Sequence, residues 1–141
     1  MRIFLIRHGD ASDGLTTLGQ GQVSRAADFL KSLGLDLSKT VLLTSQVRRA
    51  VESAEIVQKT LGLGEVLSKS WLTCNTKENT EACLAQFVAD HADPLVAVIA
   101  VSHMPEIEQL LGRLGFHGTA RNASVHEVDL QTRTATRLFV P

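Results

Sequence analysis

The chain has no tyrosine, one tryptophan and five phenylalanines, so aromatics make up only 4% of its residues. Single-stranded nucleic acid is held on aromatic stacking faces, and this composition scarcely provides them. Neither charge is in excess: Lys and Arg total 14 against 15 Asp and Glu, a formal net charge of −1. A near-neutral chain has no global field to draw it to a polyanion or an anionic membrane, so neither nucleic acid nor membrane is expected as a partner. Affinity for an anion must then come from a local cluster of cations. The two cysteines, Cys74 and Cys83, form no CxxC pair and stand at no metal-ligand spacing with histidines. They read as reduced thiols of a cytosolic protein, and no metal or cofactor is expected. The first apolar run, Ile3–Ile6, is interrupted by Arg7 and His8. It is too short for a signal-peptide core or a membrane span, and the expected location is the cytoplasm.

What is present is ordinary for a soluble globular protein: 44% hydrophobic and 21% charged residues over 141 positions. That length suits one domain, residues 1–141, large enough to bury a core without staples. Arg2–Ile6 (RIFLI), Thr40–Thr44 (TVLLT) and Leu95–Val101 (LVAVIAV) are continuous apolar runs and predict buried strands, with a weaker one at Glu65–Ser68. Between them lie helical stripes. The first starts at Thr16 or Thr17 and carries Val23, Ala26, Ala27 and Leu30 before Gly34. The second spans Gln46–Leu61 and stops at Gly62, and the third spans Thr80–His91, with Cys83, Leu84, Phe87 and Val88 inward. A fourth opens at Met104 or Pro105 and runs to Leu114. The end alternates as a hairpin, Ser124–Leu130 and Ala135–Val140. The alternation predicts an α/β fold: a three-layer α/β/α sandwich on a largely parallel sheet with a C-terminal hairpin.

In such a sheet, ligands bind beyond the carboxyl ends of the strands. The residues found there are Arg7-His8-Gly9 after the first strand and Thr44-Ser45 after the second, with Arg48 and Arg49 opening the next helix. Ser102-His103 follows the strand Leu95–Val101. Two imidazoles and two guanidiniums thus converge on one edge. Arginine suits bidentate recognition of phosphate, helix N-termini add N–H donors, and a neutral imidazole nitrogen is a nucleophile. Each feature alone is commonplace; their coincidence at three strand ends points to phosphoryl chemistry. His91, His117 and His126 show no ligand spacing, and Gly19-Gln20-Gly21 sits in a helix rather than after a strand. Asn122-Ala123-Ser124 fits a glycosylation sequon, without meaning in a cytosolic protein, and its place before the last strands lets it border the site.

Four segments in order resemble the histidine phosphatase superfamily, whose fold is that of phosphoglycerate mutase. They are FLIRHGDA (Phe4–Ala11), LTTLGQGQV (Leu15–Val23), TSQVRRAVESAEIV (Thr44–Val57) and VIAVSHMPEI (Val98–Ile107). With NASVHEVDL near the end, the resemblance covers most of the chain. The short length and the wording RHGDA, LTT and SHMP are most similar to SixA-type phosphohistidine phosphatases. The resemblance implies that His8 is the nucleophile and carries the phosphoryl group transiently. It implies that Arg7 and Arg49, rather than Arg48, bind the phosphoryl oxygens, and that His103 completes the pocket. Gly9, Ser45 and Asp10 are expected to line the bound substrate, Asp10 serving either in proton transfer or as a cap of its own loop. Gln46 stands where the family usually has Pro and Ser53 where it often has Thr, which bears on helix packing more than on chemistry.

The substrate class turns on a general acid, because an alkoxide leaving group needs a proton. Larger members of the family carry an acid in the insert after the third strand, a region here reduced to Thr73–Asn79. Glu78 and Glu81 are the candidates, and both also suit the start of a helix. Protonated imidazole leaves as a neutral ring and needs less help. The expected function is therefore a metal-independent phosphatase acting on phosphohistidine, its partner a phosphotransfer or signalling protein. The alternatives are a small-molecule phosphomonoesterase using Glu78 or Glu81, and a phospho-ligand binding module without turnover.

Overall fold

The computed structural model describes residues 1–141. Six strands form one sheet: β1 (Arg2–Arg7), β2 (Thr40–Thr44), β3 (Val66–Ser68), β4 (Ala97–Ser102), β5 (Val125–Asp129) and β6 (Thr134–Phe139). Their spatial order is β3-β2-β4-β1-β5-β6. The first four are parallel, and β5 and β6 close the sheet as an antiparallel hairpin. Four helices complete the α/β fold: α1 (Thr17–Ser32), α2 (Arg48–Leu61), α3 (Thr80–Asp90) and α4 (Glu106–Arg113).

The apolar strand runs are buried on both faces, and side-chain alternation divides them between two cores. Phe4, Ile6, Leu42, Ile99 and Val101 meet α1 and α2, through Val23, Ala27, Leu30, Ala54 and Val57. Ile3, Leu5, Leu43, Val98 and Ala100 meet α3 and α4, through Leu84, Phe87, Ile107, Leu110 and Leu111. The expected three-layer arrangement is what forms.

Local signals hold at most boundaries. Thr16 caps α1, its hydroxyl accepting from the Gly19 N–H, and Gly62 closes α2 in the left-handed region at φ 70°. Corrections are small. The second helix begins at Arg48 rather than Gln46, because Val47 stays extended (φ −77°, ψ 137°) and gives its N–H to the Ser45 hydroxyl. The central strand runs Ala97–Ser102 rather than Leu95–Val101, although Val96 already bonds to Arg2 and Lys39. A 3-10 turn at Ser70–Leu72, which no sequence signal announces, buries Trp71 and Leu72 under α3. Cys83 and Val88 are only half-buried. No helix is long and apolar enough to cross a membrane.

Candidate active site

Register decides the site. Arg7 of β1 pairs with Ser102 of β4, and Thr44 of β2 with Val101 of β4. The ladder then continues one residue past the strands: the His8 N–H donates to the Ser102 carbonyl and the Ser45 N–H to the Val101 carbonyl, both at 3.2 Å. His8, His103 and Ser45 therefore stand side by side at the carboxyl edge, on three neighbouring strands separated in sequence by dozens of residues.

His8 is buried, and both ring nitrogens are engaged. Nδ1 lies 2.7 Å from the Gly9 carbonyl, and Nε2 accepts from Arg49 Nε at 3.2 Å. A guanidinium only donates, so Nε2 carries the lone pair and the proton sits on Nδ1, held by the carbonyl. Burial, followed by the charges of Arg49 and Arg7, holds the His8 pKa below its ordinary 6.5, although the Gly9 bond opposes the shift. The ring is neutral at neutral pH with its free nitrogen facing a cation.

His103 is only 1% exposed. Its Nε2 is 2.5 Å from the Ser45 hydroxyl, and its ring centroid is 5.1 Å from that of His8. Ser45 Oγ accepts from the Val47 N–H at 3.3 Å and is assigned as the donor to His103 Nε2, one of the two tautomers that this contact allows. That assignment leaves the buried Nδ1 of His103, which has no partner, as an N–H donor. Burial, His8 and the two arginines lower the His103 pKa to about 3.

The two arginines that the family resemblance distinguished point different ways. Arg49 reaches His8 from the first turn of α2, whereas the Arg48 side chain is 68% exposed and pairs with Glu52 one turn on. Arg7 is half-buried, and its Nη1 donates to the Ala120 carbonyl at 2.8 Å. Burial lowers its pKa from 12.5, against the pull of the Glu108 carboxylate. Arg7 remains a cation throughout the physiological range.

Packing fixes this edge against α1 and α2. A Cβ on Gly9 would lie 2.6 Å from the Gly19 carbonyl oxygen, so α1 abuts the triplet with no side chain between them. Ser53, fully buried where the family often has Thr, accepts from the Gly9 N–H and donates to the Arg49 carbonyl at 2.7 Å. One hydroxyl thus ties the His8–Gly9 loop to the helix that carries Arg49, a role the sequence pattern had not suggested.

The acids expected near the site are occupied elsewhere. The Asp10 carboxylate accepts from the Thr16 hydroxyl at 2.7 Å, so Asp10 caps its loop. Glu78 is exposed and bonds to Ser70 at 2.6 Å. Glu81 pairs with Arg133 at 3.3 Å, in the turn between β5 and β6. That turn lies at the amino edge of β1, because β5 runs antiparallel from Ile6 to Ile3. No carboxylate hydrogen-bonds to His8, Arg49 or His103. Two neighbours escaped the sequence reading. Cys74 Sγ lies 3.8 Å from Arg49 Nη2, and buried Glu106 holds the adjoining Asn75 N–H at 2.9 Å. The polar run Thr73–Asn79 gave no hint that it folds back over Arg49. No three His, Cys, Asp or Glu side chains gather as metal ligands.

No family model matches this chain, and no curated protein matches it. Solved structures do. The protein histidine phosphatase SixA, complexed with tungstate, is 25% identical with a TM-score of 0.79, over 99% of this chain and 95% of that one. The fold is that of the histidine phosphatase superfamily. Two further neighbours of this superfamily show the breadth of the likeness. A histidine-to-alanine variant of phosphoserine phosphatase from Entamoeba histolytica, in complex with phosphoserine, has a TM-score of 0.70 at 16% identity, over 99% and 95% of the two chains. Mycobacterial glucosyl-3-phosphoglycerate phosphatase, complexed with VO3, has a TM-score of 0.69 at 18% identity, over 96% of each. The resemblance drawn from the four motifs thus stands, including its likeness to SixA, and the neighbours support a hydrolase of phosphorylated substrates.

Proposed function

We propose that this chain is a phosphohistidine phosphatase that removes phosphoryl groups from protein histidines through a covalent intermediate on His8. The observation that carries this reading is the bond from Arg49 Nε to His8 Nε2, in a pocket where no carboxylate contacts the imidazoles. A tetrahedral dianion placed there meets Arg7 and Arg49, with the His103 ring beside it, and stands in reach of an unprotonated nucleophile. The tungstate on SixA is an oxyanion of that shape.

In the first step, His8 Nε2 attacks phosphorus in line, the new P–N bond forms, and the P–N bond to the substrate imidazole breaks. The substrate ring, protonated from solvent at its other nitrogen, takes the electron pair of the broken bond and leaves as neutral imidazole. In the second step, water attacks the phosphoryl group on His8, releasing phosphate and restoring the Nδ1–H tautomer. Arg7 and Arg49 neutralise charge on the equatorial oxygens in both steps, and positioning does the remainder. No metal is needed in this scheme, because the cations are side chains. The absence of a poised acid suits imidazole better than an alkoxide as leaving group.

A substrate panel tests the reading. The protein is incubated with a phosphohistidine peptide and with phosphomonoesters, and released phosphate is followed. Turnover of phosphohistidine, with an acid-labile phosphoenzyme that disappears in His8→Ala, is the expected result. Turnover of monoesters alone would make the protein a phosphomonoesterase instead. Phosphate binding without turnover of either would make it a binding module.

A further inference from the structure

We propose that Arg121 forms a second anion-binding subsite beside the phosphoryl pocket, which receives an acidic side chain flanking the phosphohistidine of the protein substrate. This inference rests on the phosphohistidine reading and deepens it.

The geometry begins at Arg7. Its side chain lies at one end of an open groove of about 370 Å³ whose walls include Arg121, Gln22, Thr119 and Asn122. No carboxylate side chain lines this groove. Arg121 takes part in none of the molecule's ion pairs, which join Arg2 to Glu127, Arg48 to Glu52 and Arg133 to Glu81. Two guanidiniums therefore line one hollow and neither forms an ion pair, although the Glu108 carboxylate, on the Ala120 N–H, pulls on Arg7 and the chain's end, Val140 and Pro141, completes the lining. The neutral walls favour the same ligand. The Gln22 carbonyl oxygen is taken by the Asp10 N–H at 2.9 Å, which leaves the Gln22 NH2 as the free, donating end.

An exposed arginine by itself is usually a solvated charge. What distinguishes Arg121 is the turn that carries it. The Ala120 carbonyl accepts from Arg7 at 2.8 Å, and the Ala123 N–H donates to the carbonyls of Arg7 and His8 at 2.9 and 3.1 Å. The Arg121 carbonyl in turn accepts from the Ser124 N–H and hydroxyl at 3.0 and 2.8 Å. Ala120 and Ala123 are fully buried. The turn is thus fastened to the two residues that hold the phosphoryl group, and between its buried alanines only Arg121 and Asn122 face outward. The backbone of Arg121 therefore stands at a fixed place relative to His8, and its exposed side chain reaches out from there. Guanidinium binds carboxylate bidentately, and the open, polar groove accepts a side chain of a protein surface rather than enclosing a small molecule.

The test uses four fluorophore-labelled peptides: phosphohistidine or phosphoserine, each with acidic or neutral flanks. Steady-state kinetics are measured for the natural protein, Arg121→Ala and Arg121→Glu. Acidic flanks should raise kcat/KM about fivefold in the natural protein, through KM rather than kcat, and 0.5 M salt should shrink the ratio. Arg121→Ala should bring the acidic-to-neutral ratio to about one, and Arg121→Glu should invert it. A ratio that survives Arg121→Ala, or a ratio of one in the natural protein, overturns the subsite. Failure of the phosphohistidine reading is separate: turnover of the phosphoserine pair alone refutes it, yet the acidic-to-neutral ratio on that pair still judges Arg121. If neither pair is turned over, the same ratio is read from Kd by fluorescence anisotropy.

Discussion

Arg49 Nε donates to His8 Nε2 across 3.2 Å. The bond joins the first turn of α2 to the residue after β1; it fixes the tautomer and, after burial, helps to lower the proton affinity of the imidazole. Arg49→Ala removes a positive neighbour that lowers the His8 pKa, so that pKa should rise toward 6.5, measured by NMR titration of the ring protons. Turnover should fall about 10²–10³-fold, the size seen when one donor to a developing anion is removed. A pKa that moves down would refute the assignment.

The pH profile of activity follows from the same bond. On the proposed mechanism His8 attacks unprotonated, and its pKa is held below 6.5 by burial and the neighbouring arginines, so the acid limb of kcat/KM should lie below pH 6.5. His103 titrates at about 3 and adds no limb in the usual range. An acid limb centred at or above 6.5 would show that His8 is not the titrating group, or that it is not buried in solution.

Ser45 acts through His103. Ser45→Ala leaves His103 Nε2 without the hydroxyl at 2.5 Å, and the ring loses what fixes its tautomer. The expected cost is about 1–3 kcal/mol of stability for an abandoned buried polar atom, read in a thermal melt. Turnover should fall through kcat more than KM, because the His103 N–H matters most as charge moves onto the phosphoryl oxygens. A fall confined to KM would reassign Ser45 to direct substrate binding.

His126 gives the fold an acid weakness. It is fully buried on β5, neither ring nitrogen has a partner, and Phe116 packs edge-on at 5.3 Å. Burial lowers its pKa to about 4. The unfolded chain binds the proton more readily, so stability is complete above pH 6.5 and is lost as pH falls through 6.5 toward 4. His126→Leu should reduce the loss of Tm between pH 7 and pH 5. An unchanged loss would assign the acid sensitivity to His103 and His8.

Gly19 tests the contact between α1 and the nucleophile's loop. A Cβ at this position would lie 2.0 Å from the Asp10 carbonyl oxygen. Gly19→Ala should therefore destabilise by about 1–3 kcal/mol, as overpacking does, despite alanine's better helix propensity. A raised Tm would show that the loop yields freely.

The sequence by itself determined the sheet and its helices, because burial on both faces writes strands as continuous apolar runs and amphipathic helices as periodic stripes. It also determined which residues end β1, β2 and β4, and so which histidines and arginines share an edge. The choice of Arg49 over Arg48 came from the family resemblance, and Arg49 is the one that contacts His8. Contacts between residues far apart in the chain were decided only by tertiary structure. The Ser53 bridge, Cys74 beside Arg49, the Glu106–Asn75 clasp and the turn that fastens Arg121 to Arg7 and His8 all join segments whose spacing carries no period. The acids show the same division. Asp10 beside the triplet and Glu78 and Glu81 near a helix start all look available as acids, but Thr16, Ser70 and Arg133 take them, and only the fold places those partners.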